Sequence, residues 1–535
     1  MAMPRERLYL FDTTLRDGAQ TQGVDFSVHD KRQIAGALDN IGIDYVEGGW
    51  PGANPTDTAF FADPPPLKQA KLVAFGMTKR AGRSTANDPG LAAVLGAHAS
   101  GTCLVGKSWD FHVDIALGIS LAENLALIGE SIAAAASQGE AMFDAEHFFD
   151  GYKANPDYAL ACARTAFEAG ARWVVLCDTN GGTLPHEVER IVAETAKEVP
   201  GNRLGIHAHN DTENAVANTL AAIRAGARQV QGTLNGLGER CGNANLVSLI
   251  PTLLLKDDYA ARFETGIAPE TLQHITHVSR LLDELLNRAP DRHAAYVGDA
   301  AFAHKGGLHV SAVEKDPRTY EHVPPEKVGN RRHILISDQA GRSNILSRLR
   351  DAGFEVDPRH PKLGVLLDEV KEREFNGYAY DGAEASFELL ARRMIETVPE
   401  YFRVHRYRVM DERRWNAKGD LVTISEATVN GSLDGRPFLE VAESHEGPVD
   451  ALSTALRKAL TPAYPELEAI QLTDFKVRIL TPQAGTKAVT RVMIETSDRH
   501  ESWSTVGVSP DIINASYNAL IDSITYRLWR LGRRG

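Results

Sequence analysis

Three segments of this chain, WVVLCD (173–178), LGIHAH (204–209) and QVQGT (229–233), show most clearly the pattern that predicts its fold. Each is a short run rich in β-branched and other apolar residues, and each is followed by a longer stretch with helical periodicity. Five similar runs precede them: LYLFD (8–12), YVEGG (45–49), LVAFG (72–76), TCLVG (102–106) and AMFDA (141–145). Alternating strand and helix patterns are typical of parallel βαβ units. Eight such units in about 260 residues predict an α/β fold with a (β/α)8 TIM barrel, and an open doubly wound sheet is the alternative that the pattern leaves open.

Charge and cysteine content exclude several classes of protein. The chain has 535 residues and a net charge of −13, a surplus that would repel a polyanion, so we expect no nucleic-acid partner. Cys103, Cys162, Cys177 and Cys241 have no CxxC spacing, and neither a disulfide framework nor a thiolate zinc site is expected. No apolar signal region opens the sequence, and no run approaches about 20 apolar residues. We therefore expect a cytoplasmic protein with no membrane partner.

Changes of pattern divide the chain into three regions. Residues 1–265 form the predicted barrel, 266–395 are mixed helical connecting subdomains, and 396–535 are a C-terminal α+β domain. Within the C-terminal domain, a trio of strand-like segments followed by a helix occurs twice, which indicates a duplicated unit. The helices are predicted to begin at Gly447-Pro448 and Ser509-Pro510, because proline is favoured in a first helical turn and serine is a good N-cap.

Polar residues follow the predicted barrel strands, whose carboxyl ends meet at one mouth. His207 and His209 lie on the same side of a strand, since side chains alternate along it. Asp17, after the first strand, and Asn243, after the eighth, would be their neighbours. Two nitrogen and two oxygen donors favour a divalent ion, Mn²⁺, Mg²⁺ or Zn²⁺, with positions open for substrate oxygens. Ordinary polar loop residues are the alternative interpretation of the two histidines.

Three further side chains at these strand ends are candidates for chemistry. Arg16 precedes Asp17 and could clamp an oxygen that gains negative charge, although a surface ion pair would use the same residue. Thr179 offers a hydroxyl to a carboxylate, or else caps a helix. Glu146 could act as an acid or base, or simply orient an imidazole.

A Walker-type pattern, GTCLVGKS, spans 101–108. A phosphate-binding loop needs small, flexible residues between its glycines and a helix after its lysine. Here TCLV has the pattern of a buried strand and SWDFHV follows, so we do not expect a nucleotide site.

Three motifs in this order, TLRDG (14–18), HAHND (207–211) and GLGERCGN (236–243), resemble those of a known enzyme family. They are similar to the acyl-CoA-dependent 2-oxoacid condensing enzymes of the metal-dependent barrel superfamily, which comprise isopropylmalate, homocitrate and citramalate synthases. Three other segments, GGWPGANPTD (48–57), GKSWDFHV (106–113) and FDAEHFFDGYK (143–153), resemble the citramalate-forming branch.

This resemblance implies that acetyl-CoA, pyruvate and water give (R)-citramalate and CoA, in isoleucine biosynthesis. The use of 2-oxoisovalerate, as in isopropylmalate synthase, or a homocitrate-type reaction are the alternatives. Asp17, His207 and His209 match the family's metal ligands, and Asn243 matches a position in or near the coordination sphere. Arg16 matches the arginine that stabilises the ketone oxygen.

The resemblance also implies residues for the remaining steps. His309, in FAHKGGLH (302–309), matches a histidine that assists removal of the methyl proton, Glu146 matches a supporting carboxylate, and Tyr320 lies where a tyrosine helps this step. Because pyruvate carries only a methyl group, we expect bulky side chains to close its pocket, with Leu104 and Phe143 as candidates. The family assembles as a domain-exchanged homodimer, and the C-terminal domain resembles an amino-acid sensor, for which isoleucine is the expected effector.

Three other classes of protein are weighed against this interpretation. A carbon–carbon lyase of the same superfamily would use a cysteine in the loop after the eighth strand, where Cys241 lies in a different sequence context. A P-loop NTPase would depend on Lys107. A pure amino-acid sensor would have no turnover.

Overall fold

The structure is a computed structural model. It describes residues 5–286, 288–304, 307–334, 342–351, 354, 356–415, 418–498 and 501–533. The chain forms two compact units. The first comprises Met1–Phe302 and His322–Arg332, and the second comprises Ala303–Glu321 and His333–Gly535.

Eight parallel strands close into a barrel in the first unit, and strand β8 pairs with β1. The strands are β1 (Tyr9–Asp12), β2 (Tyr45–Gly49), β3 (Lys71–Met77), β4 (Gly101–Lys107), β5 (Glu140–Glu146), β6 (Trp173–Asp178), β7 (Leu204–Ala208) and β8 (Gln229–Gly232). The predicted TIM barrel is confirmed, and the open sheet is excluded because the order closes on itself. Strand β4 contains the Walker-type pattern, so those glycines belong to a sheet and not to a phosphate loop.

Helices follow the strands in the first unit. The longer ones are α1 (Val28–Ile41), α2 (Pro55–Ala62), α3 (Pro89–Leu95), α4 (Leu121–Ala136), α5 (Phe148–Ala154), α6 (Pro156–Glu168), α7 (Pro185–Thr195), α8 (Ala215–Ala225), α9 (Leu246–Leu255) and α10 (Ile275–Leu285). Their starts follow local chemistry: Ser27 and Asp30 form a reciprocal capping box at α1. Among the described helices none alone is long and apolar enough to cross a bilayer, and Asp110–Leu117 with Leu121–Ala136 passes that test only as a pair bent by 89°.

Side chains alternate between two apolar clusters along each barrel strand. On β4, Cys103 and Val105 belong to the cluster inside the barrel, whereas Leu104 packs in the layer between the barrel and its helices. On β5, Met142 faces inward and Phe143 outward in the same way. The parity of a position on its strand therefore decides whether its side chain can reach the barrel interior.

Among its described residues, the second unit contains four helices before the duplicated domain. The helices are α11 (Gly307–Lys315), α12 (Arg342–Asp351), α13 (Lys362–Phe375) and α14 (Glu384–Ile395). One antiparallel sheet contains β9 (Arg403–Trp415), β10 (Leu421–Leu433) and β11 (Arg436–Ser444), before α15 (Pro448–Leu460). The other contains β12 (Gln471–Ile479), β13 (Thr490–Ser497) and β14 (Ser502–Ser509), before α16 (Ile512–Arg530).

This repeat of three strands and a helix confirms the predicted duplication. Helix α15 begins at Pro448 after Gly447, as expected. The start predicted for α16 is wrong: its N-cap is Asp511, whose carboxylate accepts the Ile513 N–H, and the Ser509 hydroxyl accepts the Asp511 N–H instead. The carboxylate outcompetes the hydroxyl two residues further along the chain, where it reaches the free N–H groups of the first turn.

Candidate active site

The loop after β8 folds back over the mouth of the barrel and carries Asn243 there. The Asn210 N–H donates to Gly242 O at 2.9 Å, and His209 and Asn243 form an isolated antiparallel bridge, so the loop is fixed to the end of β7. Gly238 has φ +154°, and a Cβ atom there would collide with Asn243 Oδ1. The glycines of GLGERCGN are therefore needed to bring Asn243 close to the histidines.

Asp17, His207 and Asn243 converge on one point in this mouth, and all three are buried. Asn243 Nδ2 lies 3.0 Å from His207 Nε2 and 3.4 Å from Asp17 Oδ2. His207 Nε2 lies 3.6 Å from Asp17 Oδ2. The His209 ring centroid is 5.2 Å from that of His207. The structure thus brings together the four side chains that the sequence marked as metal ligands.

Gln231 sets the tautomer of His207. Gln231 Nε2 donates to Asp144 Oδ1 at 3.2 Å, so its Oε1 is left to accept from His207 Nδ1 at 2.7 Å. The Nδ1 atom of His207 therefore carries the hydrogen, and Nε2 presents its lone pair toward Asp17 and Asn243. Such outer hydrogen bonds orient metal-ligating histidines.

The protonation states of these residues fit a divalent cation. Burial lowers the pKa of His209 to about 3, with His207 adding to the effect, so the imidazole is neutral. Burial raises the pKa of Asp17, but Arg16 and the two histidines outweigh it, and the net shift is downward. His209 Nδ1 and Asn243 Oδ1 are buried without a hydrogen-bond partner among the described residues. The neutral His209 imidazole, the Nε2 atom of His207, a carboxylate and an unsatisfied amide oxygen are donors that a divalent cation accepts.

Two other clusters of three possible ligand atoms lie nearby. The first cluster consists of Glu47, Cys103 and Asp144. Burial raises the pKa of the Cys103 thiol well above its usual range, and it also raises the pKa of the Asp144 carboxyl. Because a metal needs deprotonated ligands, this cluster is a poor site. The second cluster consists of His112, Glu146 and His147, and its one carboxylate is engaged by Lys107.

Arg16 is held rigidly beside Asp17. Its Nε donates to Glu47 Oε2 at 2.7 Å, its Nη1 donates to Asp17, and its guanidinium carbon lies 3.9 Å from the centroid of the Phe75 ring. The Arg16 side chain is 14% exposed. The guanidinium therefore presents a fixed positive charge to the mouth of the barrel.

A cleft of about 270 Å³ opens over these groups. Its lining residues include Arg16, Asp17, Trp50, Phe75, Met77, Val105, Lys107, Asp144, Glu146, Thr179, His207 and His209. The Thr179 hydroxyl accepts the His147 N–H at 2.8 Å, which leaves its own hydrogen available to a substrate. Helix α7 has its N-cap at Leu184, so Thr179 does not cap that helix.

The structure corrects the expectation that Leu104 and Phe143 close the substrate pocket. Both are completely buried in the layer between barrel and helices, and neither lines the cleft. The apolar wall of the cleft is instead formed by Phe75, Met77 and Val105. The physical reason is strand parity, since position 105 faces inward on β4 when position 104 faces outward.

His309 and Tyr320 belong to the second unit. Their ring centroids are 4.2 Å apart, and Tyr320 is 46% exposed. Nearby in the same unit, His304 Nε2 lies 3.2 Å from the buried Glu321 carboxylate. Lys305 and Gly306 of the FAHKGGLH motif lie outside the described residues. The catalytic role of His309 and Tyr320 stays a prediction.

Three residues in the cleft or directly behind it were not predicted from the sequence. Lys107 was considered only as a residue of a nucleotide motif, yet it lines the cleft. Asp144 and Gln231 lie at inward positions of β5 and β8 and orient His207. A parity count from Glu146 along β5 would have identified Asp144 and excluded Phe143.

Comparison with protein families divides the chain into three matched regions. Residues 7–281 match an HMGL-like family model, 296–373 match a homocitrate synthase post-HMGL domain-like model, and 381–528 match the LeuA allosteric (dimerisation) domain. These matches follow the barrel, the connecting region and the duplicated domain.

Full-length relatives extend this similarity. The chain is 50% identical to the (R)-citramalate synthase of Synechocystis sp., over 99% of this chain and 97% of that protein. It is 49% identical to the (R)-citramalate synthases of Aquifex aeolicus, with 98% of both chains covered, and Geobacter sulfurreducens, with 97% of both covered. Together with the buried Asp17, His207 and Asn243 at the mouth of a TIM barrel, these matches show that the chain belongs to the HMGL-like family and, within it, to the (R)-citramalate synthases.

Proposed function

We propose that this chain condenses acetyl-CoA with pyruvate and water to give (R)-citramalate and CoA, a step that serves isoleucine biosynthesis. The observation that carries the proposal is the convergence of Asp17, His207 and Asn243 beside the fixed Arg16 guanidinium. The ketone oxygen of a 2-oxoacid gains negative charge when a carbon nucleophile attacks the ketone carbon. The fixed Arg16 guanidinium supplies a positive charge at the mouth of the barrel for this oxygen.

Asp17, His207, His209 and Asn243 are the residues that would hold a divalent ion. When bound, this ion supplies Lewis-acid polarisation of the ketone and neutralises negative charge. Arg16 donates toward the ketone oxygen and stabilises the alkoxide, since its position is already fixed by Glu47 and Phe75. Thr179 donates its hydroxyl hydrogen to the carboxylate of the 2-oxoacid.

The apolar wall of the cleft suits the methyl group of pyruvate. Phe75, Met77 and Val105 line it, and Trp50 packs edge-on against Phe75 with ring centroids 5.6 Å apart. A longer 2-oxoacid side chain needs space that these side chains fill. Exclusion by one or two methylenes is worth about 1–3 kcal/mol, so 2-oxobutyrate should be a poor substrate but not an inert one.

Carbon–carbon bond formation begins when a C–H bond of the thioester methyl breaks and the proton moves to a base. Glu146, in the cleft, and His309, with Tyr320 beside it, are the candidates for this transfer. The resulting carbon attacks the ketone carbon, the alkoxide takes up a proton, and water then cleaves the C–S bond to release CoA. We propose that the second unit supplies His309 within a homodimer, in line with the match to a dimerisation domain.

The duplicated domain supports a regulatory role. A cavity of about 580 Å³ lies beside the start of α15 and is lined by Gly447, Val449, Ser453 and Arg457. The N–H groups at this helix start can receive a carboxylate, and the Glu446 and Asp450 carboxylates in the same lining can pair with an ammonium group. Leu467, Ile470 and Phe475 supply an apolar wall, as an amino acid with an apolar side chain requires. We propose isoleucine as the effector. The four cysteines are unpaired, which supports a reducing, cytoplasmic location.

The experiment that tests the proposal follows release of free thiol from acetyl-CoA by the full chain. With Mn²⁺ or Mg²⁺ and pyruvate we expect turnover, which a chelator abolishes and added metal restores. Absence of thiol release with every 2-oxoacid in the presence of metal would contradict the proposal. Thiol release that is greater with 2-oxoisovalerate than with pyruvate would reassign the chain to an isopropylmalate synthase.

A further inference from the structure

Lys107 ends strand β4 inside the cleft, where it forms an ion pair with Glu146 at the end of β5. The two residues lie directly opposite each other in the strand register. The Lys107 side chain is 16% exposed and the Glu146 side chain 23%. Lysine and glutamate side chains that are this strongly buried are rare unless they are paired, so the ion pair is part of the folded interior of the cleft and not a surface contact.

Hydrogen bonds hold the backbone of the two strand ends that carry these side chains. The Ser108 N–H donates to Glu146 O at 3.1 Å, and the buried Asn124 side chain donates to Lys107 O at 2.8 Å and contacts the Tyr158 hydroxyl. The strand ends that carry Lys107 and Glu146 are therefore held by groups that do not face the substrate. A side chain on such a support keeps its orientation when the cleft fills.

The other cations that line the cleft are engaged elsewhere. Arg16 donates to Asp17 and Glu47, and Arg240 donates to Asp211 and to Thr179 O. Within the described residues, Lys107 is the cation that pairs with Glu146. The same cleft contains Asp17, Asp144 and Glu239, so an unpaired Glu146 carboxylate would face further negative charge.

We propose that Lys107 is a positioning residue for the condensation: its ion pair holds the Glu146 carboxylate aimed into the cleft for the transfer of the thioester methyl proton. This inference rests on the proposed function. It assigns a role to the lysine of the Walker-type pattern. Lys107 does not participate in bond formation, because its ammonium acts through Glu146.

The test compares Lys107→Met, Lys107→Arg and Lys107→Gln, with Lys153→Met as control. Lys153 lies on α5 near Thr183 and Glu187, outside the cleft lining. We expect Lys107→Met and Lys107→Gln to lower kcat by about 100-fold with KM for pyruvate little changed, since loss of general acid–base function typically costs that much or more. Lys107→Arg should recover most of kcat because it restores the charge.

The kinetic isotope effect separates a role in proton transfer from a structural role. With trideuteroacetyl-CoA, the isotope effect on kcat should rise in Lys107→Met, because proton removal becomes the slow step. In a Glu146→Gln background, Lys107→Met should cost little more, since the two residues act as one unit. Lys153→Met should leave kcat and the isotope effect as in the wild type.

Three results would overturn the inference: wild-type kcat in Lys107→Met, an unchanged isotope effect with a rise confined to the KM for pyruvate, or additive losses in the double variant. If Lys107→Met does not fold, Lys107→Gln and Lys107→Arg decide by the same criteria. A wild-type chain that releases no CoA with pyruvate contradicts the proposed function itself, whereas an active wild type with unaffected lysine variants contradicts this inference alone.

Discussion

At the scale of single residues, the site depends on hydrogen bonds that lie one layer behind the candidate ligands. His207 presents Nε2 to the cleft because Gln231 accepts its Nδ1–H and Asp144 orients Gln231. Sequence could mark His207, since a histidine pair at a strand end is conspicuous. It could not identify Gln231 as the partner of His207, because this pairing becomes visible only when the alignment of the two neighbouring strands is known.

We predict that Gln231→Leu weakens Mn²⁺ binding by about 10- to 100-fold, the usual effect of losing a hydrogen bond that orients a histidine ligand. Isothermal titration of the metal-free chain with Mn²⁺ measures this without reference to turnover. Gln229→Leu is the paired comparison: Gln229 lies on the same strand, contacts Met142, and accepts only a long 3.5 Å hydrogen bond from Gln231 Nε2, so its loss should weaken Mn²⁺ binding much less than Gln231→Leu does. Equal Mn²⁺ affinity in the wild type and Gln231→Leu would show that Gln231 does not support the metal site.

At the scale of elements, the eight strands were predictable and their inward faces were only partly so. Short apolar runs separated by helical stretches indicated β1–β8, since parallel strands buried on both faces are apolar throughout. That same apolarity hides which residues face inward, so Leu104 and Phe143 were assigned to the wrong layer. Only the polar residues at the strand ends, such as Lys107 and Glu146, show which of the alternating positions on a strand face the barrel interior.

Because side chains alternate along β4, two neighbouring residues of this strand should have different effects when they are replaced by alanine. Val105→Ala enlarges the cleft and should raise kcat/KM for 2-oxobutyrate relative to pyruvate by about 10-fold, the scale expected for one or two methylenes. Leu104→Ala should leave this ratio unchanged but lower the free energy of unfolding by about 2–5 kcal/mol, because it leaves a cavity in a buried layer. Substrate competition and urea unfolding measure the two effects. A change of preference in Leu104→Ala with none in Val105→Ala would contradict the assignment of the cleft wall.

For the whole molecule, the net charge of −13 is reflected in the candidate active-site cleft, where the cations of Arg16, Lys107 and Arg240 lie among the carboxyl groups of Asp17, Asp144, Glu146 and Glu239. The sequence predicts a division into barrel, connecting region and duplicated domain through changes of pattern, and the boundaries of these regions stay a prediction. It did not indicate that α12–α14 share an apolar cluster with Val506 of β14, because contacts between distant segments leave no local pattern.

The proposed effector cavity beside α15 leads to a prediction for the full chain. Isoleucine should inhibit wild-type turnover, and Ser453→Trp should abolish this inhibition by filling the cavity beside α15. Turnover of Ser453→Trp without isoleucine should equal that of the wild type, since Ser453 is not among the residues that line the candidate active-site cleft. Steady-state rates at increasing isoleucine measure both. Inhibition that persists in Ser453→Trp would place the effector elsewhere.

We propose that the cleft formed by Arg16, Phe75, Val105 and the candidate metal ligands selects pyruvate as the partner of acetyl-CoA. A competition tests this selection: the metal-loaded chain receives acetyl-CoA with equal concentrations of pyruvate and 2-oxoisovalerate, and the products are separated and quantified. We predict that (R)-citramalate is the dominant product. Predominance of 2-isopropylmalate, or no condensation product from either 2-oxoacid, would contradict the claim.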